Sequence, residues 1–134
     1  FSHGRGGYRQ HNTLLVEELV SHGYVVAAID HPSAASGVAF PDGRVVTFDP
    51  RMRDRPFVTD MIPYLTEDAL FVFRRLAELD RADTAGRLTG RLDLERAGMF
   101  GLSLGGEVTA EACRLEPRLK AAVVDQGDLR GASR

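Results

Sequence analysis

Apolar residues along this chain fall into short continuous runs and longer amphipathic stretches. The runs at 24–29 and 119–124 are rich in valine, alanine and isoleucine, which is typical of strands buried on both faces of a parallel sheet. Apolar residues recur at helical spacing in 12–22, 64–79 and 104–115, and each pattern predicts an amphipathic helix. Strands that alternate with helices predict an α/β fold, a three-layer α/β/α sandwich with a mainly parallel sheet.

The segment 30–60, between the predicted strand at 24–29 and the predicted helix at 64–79, is long and irregular. It contains four of the six prolines. Within it, the turn-forming sequence at 41–44 separates two apolar runs, so we expect a small hairpin between 38–40 and 45–48. The polar residues 80–91 predict a connection without regular structure.

Bulk composition excludes several function classes. A chain of 134 residues, 43% hydrophobic and 27% charged, is long enough for one globular domain with a sizeable core. The net charge of −2 gives no reason to expect nucleic acid or an anionic membrane as a partner. No apolar run approaches the roughly 20 residues of a transmembrane helix. The single cysteine, Cys113, cannot form an intrachain disulfide, and we expect it to have a packing role.

The chain begins at Phe1, and residues 1–2 resemble the end of a strand that has already started. We therefore expect an internal piece of a longer protein, a single partial domain over 1–134 without its first strands and its C-terminal part. Any targeting segment would lie outside it, so a cytoplasmic and a secreted location both stay open. Exposed sheet edges predict that the isolated piece is poorly soluble.

The segment most informative about chemistry is Gly-Leu-Ser-Leu-Gly at 101–105. It lies between a short strand predicted to end at 96–100 and the helix predicted at 104–115. A serine flanked by glycines at this junction is the pattern of a nucleophile elbow, in which the hydroxyl of Ser103 points out of a sharp turn. The backbone of such a turn is crowded, so glycine would be needed at both flanking positions, Gly101 and Gly105. The alternative is an ordinary glycine-rich turn in which Ser103 caps the helix.

A second glycine-rich loop, His3-Gly4-Arg5-Gly6-Gly7, follows the first strand end. The backbone amides of Arg5 and Leu104 could together bind the oxyanion of a tetrahedral intermediate. The alternative is a plain turn before a capped helix. In parallel sheets the carboxyl ends of strands meet at one edge, so we expect four groups to gather there: residues 3–5, Asp30 with His31, Ser103, and Asp125.

Three segments together resemble the α/β-hydrolase superfamily: Phe-Ser-His-Gly at 1–4, Ser-His-Gly-Tyr-Val-Val-Ala-Ala-Ile-Asp-His at 21–31, and Gly-Leu-Ser-Leu-Gly-Gly at 101–106. The resemblance covers nearly the whole chain. It is closest to the platelet-activating-factor acetylhydrolase group and its bacterial lipase-like and dienelactone-hydrolase-like relatives. Polyester-degrading cutinases are similar too. The resemblance implies a serine esterase with a Ser-Asp-His triad, no metal and no cofactor, acting on a small-molecule ester with a short acyl or lipid-type group.

Carried over residue by residue, the resemblance implies that Ser103 is the nucleophile and that the Arg5 and Leu104 amides form the oxyanion hole. His3 and Gly4 belong to the same loop, where the histidine ring would be a structural brace. The triad acid would be Asp125, which follows the strand after the nucleophile helix. Asp128 competes for that role, other branches of the superfamily place the acid still later, and Asp125 could also be a simple strand-end turn residue.

The general base is missing from this pattern, because the superfamily order is Ser, Asp, His and no histidine follows Ser103. We expect it in the missing C-terminal part, so that the 134 residues alone are inactive. His31 is the alternative base within the chain. His11 and His22 flank the first helix, where solvent-facing or capping positions are expected.

The sequence thus predicts a serine carboxylesterase of unknown oligomeric state. A non-catalytic binding protein with the same fold, and a lyase or isomerase built on the same elbow, are the alternatives. Arg51, Arg53 and Arg55 with Asp54 could bind phosphate or carboxylate, but the interpretation we favour is a solvated loop with internal charge pairing.

Overall fold

A computed structural model describes residues 1–125 of the chain. Its regular elements are, in order, α1 (Thr13–Ser21), β1 (Gly37–Ala39), β2 (Val45–Thr47), α2 (Arg55–Arg81), β3 (Ala97–Leu102), α3 (Leu104–Leu115) and β4 (Leu119–Asp125). Two single turns of 3₁₀ helix precede α2 and β3, at Pro50–Arg53 and Leu94–Arg96.

The central sheet is parallel. β3 and β4 pair in parallel register, with Leu102 opposite Asp125. Ser2 forms parallel bridges on both sides, to Ile29 and to Gly101. The first residues therefore lie between the segment ending at Ile29 and β3, and four parallel segments finish at the same sheet edge. The helices and this sheet give a partial α/β fold, as predicted.

Helices α2 and α3 cover one face of the sheet and form the core with it. The core includes buried apolar side chains from α2, β3, α3 and the turn before α2: Met52, Val58, Leu65, Met99, Leu104, Val108 and Ala112. This is the layer that the helical spacing of 64–79 and 104–115 predicted.

The opposite face is open over the described residues, which corrects one prediction. No residue of α1 is buried, and the exposed fractions of Tyr24, Val25 and Val123 are 58%, 57% and 61%. The strands at 24–29 and 119–124 were expected to be buried on both faces. They are not, because α1 stands off the sheet, with a groove between it and Phe100 and Val123.

Helix α2 begins nine residues earlier than predicted. The apolar spacing predicted a start at Tyr64, although the helix contains Pro63, and proline in a helix interior removes a backbone donor. The helix instead begins at Arg55, where Asp54 accepts a hydrogen bond from the Phe57 amide at 3.3 Å. It continues through Pro63 because Val58 and Leu65, on either side of the proline, are both buried in the core.

The predicted strand at 24–29 is reduced to an isolated bridge between Ile29 and Ser2, whereas the hairpin and the irregular connection are confirmed. β1 and β2 form the small antiparallel hairpin, with Val38 opposite Val46. The connection 82–93 has no helix or strand before the turn at 94–96. Cys113 is half-buried against the core, and burial raises the pKa of its thiol. Within residues 1–125, no helix combines the length and the apolar character that crossing a membrane requires.

Candidate active site

Ser103 occupies a strained turn between β3 and α3. Its φ and ψ are 53° and −117°, and among the described residues other than glycine only Ser33 shares a positive φ. Its carbonyl accepts from the Gly106 amide at 2.8 Å, but its side chain makes no capping hydrogen bond. Ser103 therefore occupies the N-cap position of α3 without capping it through its side chain, and its half-buried hydroxyl has no hydrogen-bond partner within 1–125.

The two glycines of the motif are explained by backbone packing. A Cβ on Gly101 would overlap the carbonyl group of Gly105 and lie 2.6 Å from the hydroxyl oxygen of Thr109. A Cβ on Gly105 would in turn overlap the carbonyl of Ser2 and lie 2.7 Å from the carbonyl oxygen of His3. Helix α3 thus rests directly on the backbone of the two strands, and only glycine fits at either position.

The loop after the first strand lies against this turn. A Cβ on Gly4 would be 3.3 Å from the Cβ of Ser103. The loop is fixed by a hydrogen bond from the Gly7 amide to the Gly4 carbonyl at 2.9 Å, and by one from the Arg5 guanidinium to the Met52 carbonyl at 3.3 Å.

Two backbone amides near Ser103 have no acceptor within residues 1–125. Neither the Arg5 nor the Leu104 N–H donates a hydrogen bond to any residue within 1–125. Leu104 is the first residue of α3, where amides have no intrahelical partner and carry the positive end of the helix dipole. These amides are donors available to an oxygen atom bound beside the serine.

His3 is buried, with 1% of its surface exposed. Its Nδ1 lies 2.7 Å from the Gly4 carbonyl oxygen, which can only accept, so Nδ1 carries the proton. Its Nε2 accepts from the backbone amide of His31 at 3.1 Å. Burial is the main reason that the pKa of His3 is lowered, which favours this neutral form. The ring braces the glycine-rich loop.

His31 is equally buried, and its partners were not predicted. Its Nε2 is 2.9 Å from the Ser2 hydroxyl, and its Nδ1 is 3.1 Å from a carboxylate oxygen of Asp68 on α2. The three side chains follow the order of a catalytic triad, but Ser2 has no exposed surface. Because both ring nitrogens of His31 are engaged, the alternative that it serves as the base for Ser103 has no support.

Asp30 and Asp125 also lie at this sheet edge. Asp30 accepts from the Arg9 amide at 2.7 Å and pairs with the Arg9 guanidinium at 3.4 Å, so it holds the loop and is not the partner of His31. The Asp125 carbonyl accepts from the Ser103 amide at 2.7 Å. The Asp125 side chain is exposed and hydrogen-bonds to nothing within 1–125. Asp128, the competing acid, lies outside the described residues.

The predicted groups do gather at one edge, since Gly4 contacts the elbow, His3 contacts His31 and Asp125 contacts Ser103. The two remaining histidines are exposed. His22 ends α1 and donates from Nδ1 to the Glu18 carbonyl at 2.9 Å. The ring of His11 lies 3.9 Å from that of Tyr8, centre to centre.

The arginine-rich segment is paired partly within itself and partly with α3. Arg51 bonds to Asp49 at 2.7 Å, and Arg55 bonds to both carboxylate oxygens of Glu107 at 2.8 and 3.0 Å. The expected partner, Asp54, instead caps α2. The 125 described residues hold no cluster of three His, Cys, Asp or Glu side chains suited to a metal ion.

Comparison with known proteins supports an esterase-like α/β fold. The family model for platelet-activating factor acetylhydrolase, isoform II, matches residues 1–45. A solved ferulic acid esterase from Streptomyces cinnamoneus superposes with a TM-score of 0.73 and 35% sequence identity over 92% of this chain. The chain spans 34% of the length of that enzyme. The chain therefore carries part of an α/β-hydrolase-like fold and is similar to carboxylic ester hydrolases.

Proposed function

We propose that this chain supplies the nucleophile and the oxyanion hole of a serine hydrolase that acts on carboxylic esters. The observation that carries the proposal is the strained turn at Ser103 near the amides of Arg5 and Leu104, which have no acceptor within the described part of the chain. In the reaction, the Ser103 Oγ attacks the ester carbonyl carbon and its proton passes to a base. The tetrahedral intermediate expels the alcohol, and water then hydrolyses the acyl-enzyme.

The two amides would stabilise the charge on the carbonyl oxygen of the intermediate. Donors of this kind are effective because they already point at the site where charge develops. Loss of one such donor typically lowers kcat by about 10²–10³. The N-terminus of α3 adds its dipole on the same side of the turn.

The base and the acid complete the proposal. In the superfamily order the base is a histidine that follows the acid, so we place it outside the 134 residues. Asp125 is the proposed acid, supported by its contact with the Ser103 backbone and by its uncommitted carboxylate. Asp128 and later residues are the alternatives, and Asp125→Asn compared with Asp128→Asn in the longer protein tests them. The acid variant should lose most of kcat.

Three ester classes are candidates for the substrate. The match to the acetylhydrolase family favours short acyl or lipid-type esters. The similarity to a ferulic acid esterase, at 35% identity over 92% of the chain, favours hydroxycinnamate esters as the second candidate. Aliphatic polyesters are the third class to test. Initial rates on p-nitrophenyl acetate, methyl ferulate and an aliphatic polyester film rank them.

Ser103→Ala in the longer protein is the decisive experiment, with Ser33→Ala as its matched control. Both serines have a positive φ, so each substitution places alanine on a similarly strained backbone. Ser103→Ala should abolish ester hydrolysis and labelling by a fluorophosphonate probe, while Ser33→Ala retains both. If the wild-type protein neither turns over esters nor reacts with the probe, the non-catalytic binding protein is the better assignment.

A further inference from the structure

The hydrogen bonds around His31 connect the surface of α2 to the glycine-rich loop. Asp68, whose side chain is 47% exposed, accepts from His31 Nδ1 at 3.1 Å. The backbone amide of His31 donates to His3 Nε2, and His3 Nδ1 donates to the Gly4 carbonyl. This series of contacts runs from a half-exposed carboxylate to the loop beside Ser103 through side chains that are about 1% exposed.

The last contact in the series acts on the peptide group that carries a proposed oxyanion donor. The Gly4 carbonyl and the Arg5 N–H belong to the same planar trans unit, so they point in opposite directions. When His3 and the Gly7 amide hold the Gly4 oxygen, at 2.7 and 2.9 Å, the direction of the Arg5 N–H is fixed as well. The orientation of that amide therefore depends on His3, and the position of His3 depends on His31.

Asp68 and Ser2 fix the ring of His31 from both sides. A carboxylate only accepts, so His31 Nδ1 donates to Asp68, and Nε2 lies 2.9 Å from the Ser2 hydroxyl oxygen. Ser2 also pairs with both neighbouring strands. Without Asp68, the Nδ1 of the buried His31 ring would lose its hydrogen-bond acceptor. The ring could then rotate or change tautomer.

We propose that Asp68 is a positioning residue for the Gly4–Arg5 peptide, acting through His31 and His3. The role in catalysis rests on the function proposed above. Asp68 does not touch the substrate. It limits the motion of His31, and thereby keeps the Arg5 amide aimed at the oxygen that develops charge.

The test compares Asp68→Ala with Asp68→Asn in the full-length protein. The alanine removes the acceptor for Nδ1, whereas the asparagine retains an uncharged one. We expect Asp68→Ala to lower kcat about tenfold, a fraction of the roughly 10²–10³ for complete loss of a donor, with KM changed less than twofold. Asp68→Asn should recover part of that loss.

The matched control is Glu67→Ala, which removes the neighbouring carboxylate on α2. Glu67 is 65% exposed and pairs with Arg74, so its loss changes the helix charge by the same amount without touching His31. It should leave kcat and the spectra of the loop unchanged. Far-UV circular dichroism and thermal unfolding establish that each variant is folded.

A readout independent of turnover keeps this proposal separate from the proposed function. In ¹⁵N-labelled protein, Asp68→Ala should shift the His31 ring nitrogens and the Arg5 amide resonance, and Glu67→Ala should shift neither. An unmoved Arg5 amide overturns the proposal, as does a loss of activity that appears only in KM. If the wild-type protein hydrolyses no ester, the proposed function fails, but the resonance shifts still decide whether Asp68 positions the loop.

Discussion

Replacing Gly101 with alanine tests whether the first turn of α3 packs directly against the backbone of β3 at the elbow. The new Cβ would overlap the carbonyl group of Gly105 and approach the Thr109 hydroxyl to 2.6 Å. The carbonyl belongs to the first turn of a helix, and Gly105 itself is packed against the Ser2 backbone. Neither side of the contact can move without displacing the other.

The expected magnitude is the sum of two opposing effects. Alanine in place of glycine restricts the unfolded chain, which stabilises by about 0.4–1 kcal/mol where the backbone permits it. Overpacking costs typically about 1–3 kcal/mol and occasionally more, and the backbone overlap at Gly101 belongs at the upper end. We expect Gly101→Ala to lower the free energy of unfolding by about 2–3 kcal/mol.

Gly37→Ala is the matched control, because no atom lies within 4 Å of a Cβ at Gly37 and its φ is not positive. It should be neutral or stabilising by up to about 1 kcal/mol. Urea unfolding of both variants measures the difference, which for ordinary m-values is a midpoint shift of about 1–2 M. If the two variants unfold at the same urea concentration, the close packing at the elbow is not what the structure indicates.

Three further predictions concern pH, capping and activity. Burial lowers the pKa of His3, so the unfolded chain binds this proton more readily than the folded one. The His3 contribution to stability is therefore complete above pH 6.5 or so and is lost as the pH falls through the lowered pKa. Urea midpoints at pH 7.5 and 5.5 should differ less in His3→Asn than in wild type, and equal differences would contradict this. Asp54→Ala removes the N-cap of α2 and should cost about 1 kcal/mol in thermal unfolding, whereas Asp42→Ala in the exposed hairpin turn should change little. The 134 residues alone should not turn over p-nitrophenyl acetate, because none of their described histidines reaches Ser103; turnover that Ser103→Ala abolishes would show that the base lies within them.

Local patterns in the sequence predicted the elbow well. The β3–α3 junction combines an apolar run, two glycines and a helical repeat within twenty residues, so every signal needed lies close together in the chain. The start of α2 was missed because the apolar spacing that predicted the helix was recognised only from residue 64 onwards, after Pro63. Helix propensity describes a segment in isolation. Whether a helix continues through a proline also depends on how the residues around the proline pack in the core.

The sequence did not predict contacts between residues that lie far apart along the chain. His31 was recognised as a group at the active edge, but the sequence identified no carboxylate partner for it. The actual partner, Asp68, lies 37 residues further along and occupies one turn of a long helix. Nothing in its neighbourhood distinguishes it from Glu67, because only the packing of α2 on the sheet determines which carboxylate faces the ring.

The position of Ser2 has a consequence for how the chain is made. Ser2 is hydrogen-bonded between a segment that ends at residue 29 and a strand that reaches residue 101. Ribosomes add about 5–20 residues per second, so Gly101, the later of the two strand partners of Ser2, is synthesised roughly 5–20 s after Ser2. During that interval one edge of the innermost strand is unpaired. Ribosome-bound chains should thus hold a nascent half-sheet, accessible to chaperones, until the elbow has been translated.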